Sequence, residues 1–336
     1  MRYSTVICVA ISLLIGVFTF GQDVHLSQFY TAQLNLNPAL GGDHDGDYRL
    51  TANYRNQWRE INDPIATVMV AFDKKIPFRA DIIDAGIIVL QDQFAGFGLQ
   101  TQKVLLSGAY RKQVGNNQLS GGLQFGMNFK RINADNQTFP NQWVQEMGIF
   151  DSSTSNMEAS DNLNQSFMDI NAGFSWSRTF ANFRPTVGIA LFHVNRPKDT
   201  YSQNAFENLR TRKVFHAEAK VKIDESMSVS PKLMCMWTTK AQDLMVGALV
   251  NKNWSNELGT SGVYGGILYR GGISRNADAF IPVIGYTKDN IQAGLSYDIT
   301  VSDLSGSGMK SAYELSIIYT APFYKPESLT IPCERY

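Results

Sequence analysis

The stretch IQAGLSYDITV, Ile291 to Val301, sorts its side chains by parity. Ile291, Ala293, Leu295, Tyr297, Ile299 and Val301 fall on one side, and Gln292, Gly294, Ser296, Asp298 and Thr300 on the other. A period of two marks a β-strand with one apolar and one polar face. The same alternation sets Leu119, Leu123, Phe125, Met127 and Phe129 against Ser120, Gln124, Asn128 and Lys130. It recurs where Phe215, Ala217, Ala219, Val221 and Ile223 oppose His216, Glu218, Lys220 and Lys222.

Working outward, the chain resolves into fourteen such segments: 47–55, 65–73, 83–91, 101–112, 117–131, 166–180, 183–193, 211–223, 228–240, 243–253, 258–270, 279–288, 290–301 and 311–322. A soluble sandwich also alternates, so the connections decide. With a periplasmic N-terminus, the even-to-odd links include the tight turns at Ala181-Asn182, Asp224 to Met227 and Lys288 to Asn290. The odd-to-even links include the two longest in the chain, Ile132 to Gln165 and Val194 to Arg210. Short turns on one rim and long loops on the other are the pattern of outer-membrane barrels. Lipid offers no hydrogen-bond partner, so the sheet has to close on itself. The expected fold is therefore an all-β transmembrane antiparallel barrel of about fourteen strands.

Tyr48, Tyr54, Tyr110, Trp176, Trp237, Tyr269, Tyr286, Tyr313 and Tyr319 are candidates for the aromatic girdles at strand ends. Tyr336 supplies a terminal aromatic, a feature similar to the recognition signal of barrel insertion. The first 21 residues join a basic start at Arg2 to an apolar run from Val6 to Phe20, the layout of a cleaved signal peptide. With 27 glycines, 12% aromatic residues and zero formal net charge, the chain does not read as a nucleic-acid binder. Cys235 and Cys333 are too few for a disulfide framework and lack metal-ligand spacing, so two free thiols are expected.

Between the signal peptide and the first strand lies DVHLSQFYTAQLNLNPALGGDHDGD, Asp23 to Asp47, which carries no sustained period. Residues 22–46 read as a periplasmic or lumenal plug, and 47–336 as the barrel. Asp43, Asp45 and Asp47 surround Gly46 without the ligand spacing of a calcium loop, and a turn into the first strand explains them better. The lumen charges Glu218, Lys220, Lys222, Arg270, Asp298 and Glu314 face away from the apolar rows. They read as a polar network holding the plug, with a selectivity lining for a pore as the alternative; Arg49, Arg55 and Arg59 are candidates for the same network. The four histidines of the mature chain, His25, His44, His193 and His216, accompany no nucleophile motif, so no enzyme, cofactor or resident metal is expected. The polar loop 132–165 reads equally as a partner-docking surface and as a solvated cover.

The segment HLSQFYTAQLNLNPALGG, followed by YRLTANYRNQW, resembles the opening signature of the PorP/SprF family of type IX secretion proteins in Bacteroidetes. The resemblance extends through 269–304, 311–319 and the closing IPCERY. Carried onto this sequence it marks His25, Ser27, Gln28, Phe29, Tyr30, Asn37, Pro38, Tyr54, Arg55, Gln57 and Trp58. It implies an outer-membrane, non-enzymatic role in secreting or anchoring a partner protein. The partners it implies are periplasmic ring lipoproteins or a large adhesin held through its C-terminal domain, with gliding motility in some members. Gln28, Phe29, Tyr30, Asn37 and Pro38 would form the fixed part of the plug, with Arg55, Gln57 and Trp58 lining its exit. The competing class is a transporter of hydrophobic small molecules, since a fourteen-stranded barrel with an N-terminal hatch is similar to long-chain fatty-acid channels.

Overall fold

The computed structural model describes residues 24–58, 64–94, 96, 98–133, 138, 140–151, 153–154, 163–199, 208–239, 241–256, 259–272, 277–302 and 311–323. The expected signal peptide, Arg59, Cys333 and Tyr336 lie outside them.

Five strands come first: β1 (Tyr48–Gln57), β2 (Ile65–Phe78), β3 (Asp81–Phe94), β4 (Leu99–Val114) and β5 (Asn117–Ile132). A small hairpin follows, β6 (Trp143–Val144) with β7 (Ile149–Phe150). Then come β8 (Leu163–Arg178), β9 (Phe183–Phe192), β10 (Arg212–Lys222), β11 (Met227–Trp237), β12 (Gln242–Asn256), β13 (Gly259–Gly271), β14 (Ala277–Lys288), β15 (Ile291–Thr300) and β16 (Ser311–Thr320). All but β6 and β7 form one closed sheet of fourteen antiparallel strands, with β1 sealing against β16 from Arg49↔Thr320 to Gln57↔Ala312. Closure leaves no free edge to solvate, as a lipid environment demands.

The connections segregate as expected. At the rim where β1 begins, strands join through 79–80, 115–116, 179–182, 223–226 and 289–290. From the other rim leave the two longest links, β5 to β8 (133–162) and β9 to β10 (193–211). We call these the turn rim and the loop rim. No helix of the described residues is long and apolar enough to cross a membrane. The strands are what span it.

The outer face is apolar. Leu123, Phe125, Ile284, Ile267 and Leu295 are all exposed, as the alternation required. Tyr48 meets Phe72 and Tyr319 near the turn rim, while Tyr54 meets Tyr313 and Tyr269 meets Phe280 toward the loop rim. These are two separate aromatic belts bounding the apolar band.

The lumen departs from one expectation. Its inward faces are charged on β1, β13, β15 and β16, but much of the rest is a packed apolar core. Met69, Ile88, Leu90 and Leu105 enclose Leu26, Ala32 and Leu34 on one side. On the other, Phe192, Val214, Met245, Leu268 and Ile281 enclose Phe29, Tyr30, Leu36 and Leu40. The N-terminal segment folds inside the barrel, and its apolar side chains need partners there. The inner faces supply them, and the barrel is filled much as a soluble core is.

Candidate functional site: the N-terminal segment and its three seats

Residues 24–47 run down the lumen from the loop rim to the turn rim, held at three levels. The uppermost involves Ser27 and Gln28. Their amides donate to the Glu314 carboxylate at 2.7 and 3.1 Å, and Ser27 Oγ donates to Asp298 at 2.8 Å. Gln28 Nε2 donates to the Glu314 main-chain carbonyl at 2.8 Å, while Ser316 Oγ donates to Gln28 Oε1 at 2.7 Å. Arg55 reaches Asp298 at 2.7 Å, Glu314 at 3.3 Å and Ser27 Oγ at 2.5 Å. Arg270 completes the ring, 2.7 Å from Asp298 and 2.6 Å from Asp278. Two buried carboxylates thus face two arginines and the start of the segment, so each ionised group is paired despite its burial.

His25 stands just above, 4.0 Å from Asp243. Burial first, and then the Arg270 and Arg55 charges, lower its imidazole to about 3 and keep it neutral at pH 7.

The middle seat is built on Asn37. The helical turn Gln33–Leu36 ends there, and Asn37 Oδ1 caps the next turn, Pro38–Leu40, by accepting from the Ala39 amide at 2.9 Å. Pro38 occupies the first position of that turn, where its missing N–H costs nothing. Asn37 Nδ2 meanwhile lies 3.1 Å from the Phe174 carbonyl, 3.2 Å from the Ile189 carbonyl and 3.0 Å from His216 Nε2. Such an approach to the wall needs bare backbone. A Cβ on Gly173 would collide with Asn37 Oδ1, one on Gly188 with His216, and one on Gly122 with Pro38. Ser120 Oγ donates to the Ala39 carbonyl at 2.7 Å and Gln124 Nε2 to that of Leu34 at 2.8 Å.

The lowest seat holds Gly41 to Asp43. The Gly42 amide donates to Asp73 at 2.8 Å, and Arg49 grips the same carboxylate at 2.9 and 2.8 Å. Arg111 donates to the Gly41 carbonyl at 2.7 Å and lies 3.2 Å from Asp43, which also pairs with Arg184 at 2.8 Å. Although burial alone would raise the Asp43 carboxyl, Arg111 and Arg184 hold it down to about 2. Below this seat a polar chamber of about 500 Å³ opens at the turn rim, lined among others by Asp43, Arg184, Glu218, Lys220 and Lys232.

Of the residues singled out from sequence, Ser27, Gln28, Arg55, Arg270, Asp298 and Glu314 meet in one network. Asn37 and Pro38 form the middle seat, and Phe29 and Tyr30 pack in the apolar core. Glu218 pairs with Lys232 at 2.7 Å, and Lys220 lines the chamber, whereas Lys222 is exposed at the end of β10, apart from all three seats. The expectation that Arg55, Gln57 and Trp58 line the exit of the segment is corrected. That exit is at Asp47, whose amide bonds to Ala321 at the turn rim, while Gln57 and Trp58 close β1 at the loop rim. Ten residues of strand separate the two points, about 30 Å along β1. Tyr54 faces outward in its belt. Sequence reasoning missed Asp73, Arg111, Arg184, His216 and the glycine seat, since each gains meaning only from a partner remote in the chain.

The fold is similar to that of known hydrocarbon transporters and channels. The crystal structure of the Ralstonia pickettii toluene transporter TbuX matches with a TM-score of 0.51 at 10% identity, over 88% of this chain and 94% of that one. A deltaS2 mutant of the TodX monoaromatic hydrocarbon channel matches with a TM-score of 0.55 at 10% identity over the same shares. A Pseudomonas aeruginosa FadL homologue matches with a TM-score of 0.51 at 9% identity, over 84% and 92%. At these identities the likeness concerns the fold alone. Among curated proteins, none matches the sequence. The profile of the type IX secretion system membrane protein PorP/SprF matches residues 18–319, nearly the whole chain and both halves of the site, the seated segment and the wall that seats it. With its lipid-facing closed barrel, the chain belongs to the PorP/SprF family of type IX secretion membrane proteins and resides in the outer membrane.

Proposed function

We propose that this protein is a closed docking barrel, supporting the secretion or surface anchoring of a partner protein, with a large adhesin as the leading candidate. In this reading residues 1–21 are a signal peptide, 22–46 a plug and 47–336 the barrel. The turn rim faces the periplasm, as short turns do in outer-membrane barrels, and the loop rim faces outward. The observation that carries it is the threefold seating of the N-terminal segment, which fills the lumen from Ser27 to Asp43. What such a barrel presents is its rims. Outward, the 133–162 excursion carries the β6–β7 hairpin, with Trp143 packed on Phe150 at 4.9 Å and Met147, Ile149 and Phe150 exposed. Inward, the polar chamber and turns face the periplasmic components of the system.

A small-molecule transporter would need a pocket of about 300–1,000 Å³ with apolar walls. The apolar cavity beside Val24, Phe29 and Met234 has about 30 Å³, so docking is the better supported reading.

The test is a mild-detergent pull-down of the tagged protein from native outer membranes, together with a variant whose 133–162 loop is replaced by a short turn. The expected outcome is recovery of an adhesin or ring components with the intact protein, and loss of the adhesin with the loop variant while the barrel still assembles. Unchanged adhesin display in the loop variant would refute the docking role.

A further inference from the structure

At the lowest seat one carboxylate is left over. Asp43 is taken up by Arg111 and Arg184, and Asp73 by Arg49. Lys75 donates to the His44 carbonyl, and Lys74 pairs with Asp47. Asp84, on β3 and only 2% exposed, has no hydrogen-bond partner at either oxygen among the described residues. Beside it the His44 imidazole, 4% exposed, also has neither ring nitrogen hydrogen-bonded. Four buried polar atoms without partners in one place are costly unless something fills the gap between them.

We propose that His44, Asp73 and Asp84 bind a divalent first-row transition ion, Zn²⁺ by type, which staples the N-terminal segment to the barrel wall at the turn rim. One ligand atom from each residue lies within 4.8 Å of the others, and His44 Nε2 is already 3.5 Å from Asp73 Oδ2. Bonds of about 2.0–2.1 Å in a tetrahedral centre put ligand atoms about 3.4 Å apart, so side-chain rotations that close the cluster by up to about 1.4 Å bring all three onto the ion. One imidazole and two carboxylates form a donor set that suits such ions better than calcium or magnesium. Arg49 Nε holds Asp73 Oδ1 at 2.9 Å, the outer support that ligating carboxylates usually have, while Oδ2 gives up a bond from the Gly42 amide or Arg49 Nη2 to take the ion. Gly41 and Gly42 make room, since a Cβ at Gly41 would strike the Asp84 carboxylate. His44 also borders the 500 Å³ chamber, which gives the ion an entry path and a place for a water as fourth ligand. His44 belongs to the segment, Asp73 to β2 and Asp84 to β3, so the ion ties three parts of the chain together.

The experiment uses full-length protein purified with a histidine-free tag, stripped with chelator and titrated with ZnCl₂. Calorimetry and elemental analysis of wild type are expected to give one Zn²⁺ per barrel. X-ray absorption is expected to show a light nitrogen–oxygen shell at about 2.0 Å. Asp84→Asn and His44→Gln are each expected to weaken binding at least tenfold while keeping the heat-modifiable mobility of a folded barrel. His44 lies outside the strands, so its variant remains informative should Asp84→Asn misfold. Zn²⁺ is also expected to slow hydrogen exchange at 41–47 in wild type alone. Substoichiometric zinc in wild type, or variants that bind zinc as wild type does, would overturn the site and leave the docking proposal standing.

Discussion

Asn37 does the work of a cap and a clamp at once, since its oxygen accepts from Ala39 while its amide group bonds the wall. Removing it in Asn37→Ala leaves His216 Nε2 buried without that partner, at a cost of about 2 kcal/mol. The expected readout is a lower unfolding temperature of the barrel in detergent and faster hydrogen exchange at 33–41. Gly173→Val attacks the same contact from the wall and, by overpacking, is expected to cost about 1–3 kcal/mol. Arg55→Met strips the upper network of a cation that two carboxylates share and is expected to cost about 3 kcal/mol. Adding Glu314→Gln to it should recover part of that loss, and a double-mutant cycle measures the coupling. His25 adds a pH dependence. Its folded value of about 3 lies below the ordinary 6.5, so the docked segment binds fewer protons than the undocked one. Docking is therefore fully stabilised above about pH 6.5 and weakens as pH falls toward 3. Asp243 lies 4.0 Å from this imidazole, Asp298 favours its protonation, and Arg270, Arg55 and Arg212 repel the added proton. Proteolysis of the segment at pH 5 and pH 7.5 checks this, with His25→Gln expected to flatten the difference.

At the scale of the elements, one seam of the barrel is built differently from the others. β9 pairs with β8 only from Ala172↔Leu191 to Ser177↔Thr186, although β8 begins at Leu163. Beyond that, one main-chain bond from Val194 to the Ile170 carbonyl at 2.9 Å remains, and side chains make the rest of the contacts. Asn195 accepts from the Ile170 amide at 3.2 Å and donates to the Met168 carbonyl at 2.7 Å, as a peptide group would. His193, in a left-handed backbone conformation at φ 58°, places its ring 2.8 Å from Asp169 while its amide donates to Asn171. An unpaired strand edge is costly, which explains why side chains seal it. Asn195→Ala is expected to speed hydrogen exchange at Ile170 while leaving the fully laddered β4–β5 pair unchanged. Equal protection in the variant would show that the main-chain bond from Val194 to Ile170 carries the seam unaided.

For the whole molecule, filling is the property that matters. The barrel wall is a closed sheet, yet its interior is stabilised through the segment it encloses, by two apolar clusters and three polar seats. Deleting residues 24–46 is expected to turn a silent barrel into a conducting one in planar bilayers and to lower its thermal stability. Equal, low conductance before and after deletion would count against a plug.

The wall was legible from patterning alone. Period-two alternation, the contrast of tight turns with long loops and the need for closure were enough for fourteen strands within a few residues of their ends. The parity of IQAGLSYDITV fixed which side meets lipid, because lipid accepts apolar side chains regardless of tertiary detail. Arg55, Arg270, Asp298 and Glu314 of the upper network were legible too, since a charge on a polar strand face has few places to go, whereas Ser27 and Gln28 were marked by the family resemblance alone. Tertiary structure alone decided the interior. Met69 and Ala71 face inward while Val68 and Val70 face outward, so both faces of β2 are apolar there and parity says nothing about the filling. Asn37 finds its partners 137, 152 and 179 residues away, and Gly122, Gly173 and Gly188 are small only with respect to it. An outward residue answers to a uniform solvent, lipid, which the sequence can anticipate. An inward one answers to a particular neighbour, and only the folded chain brings that neighbour into place.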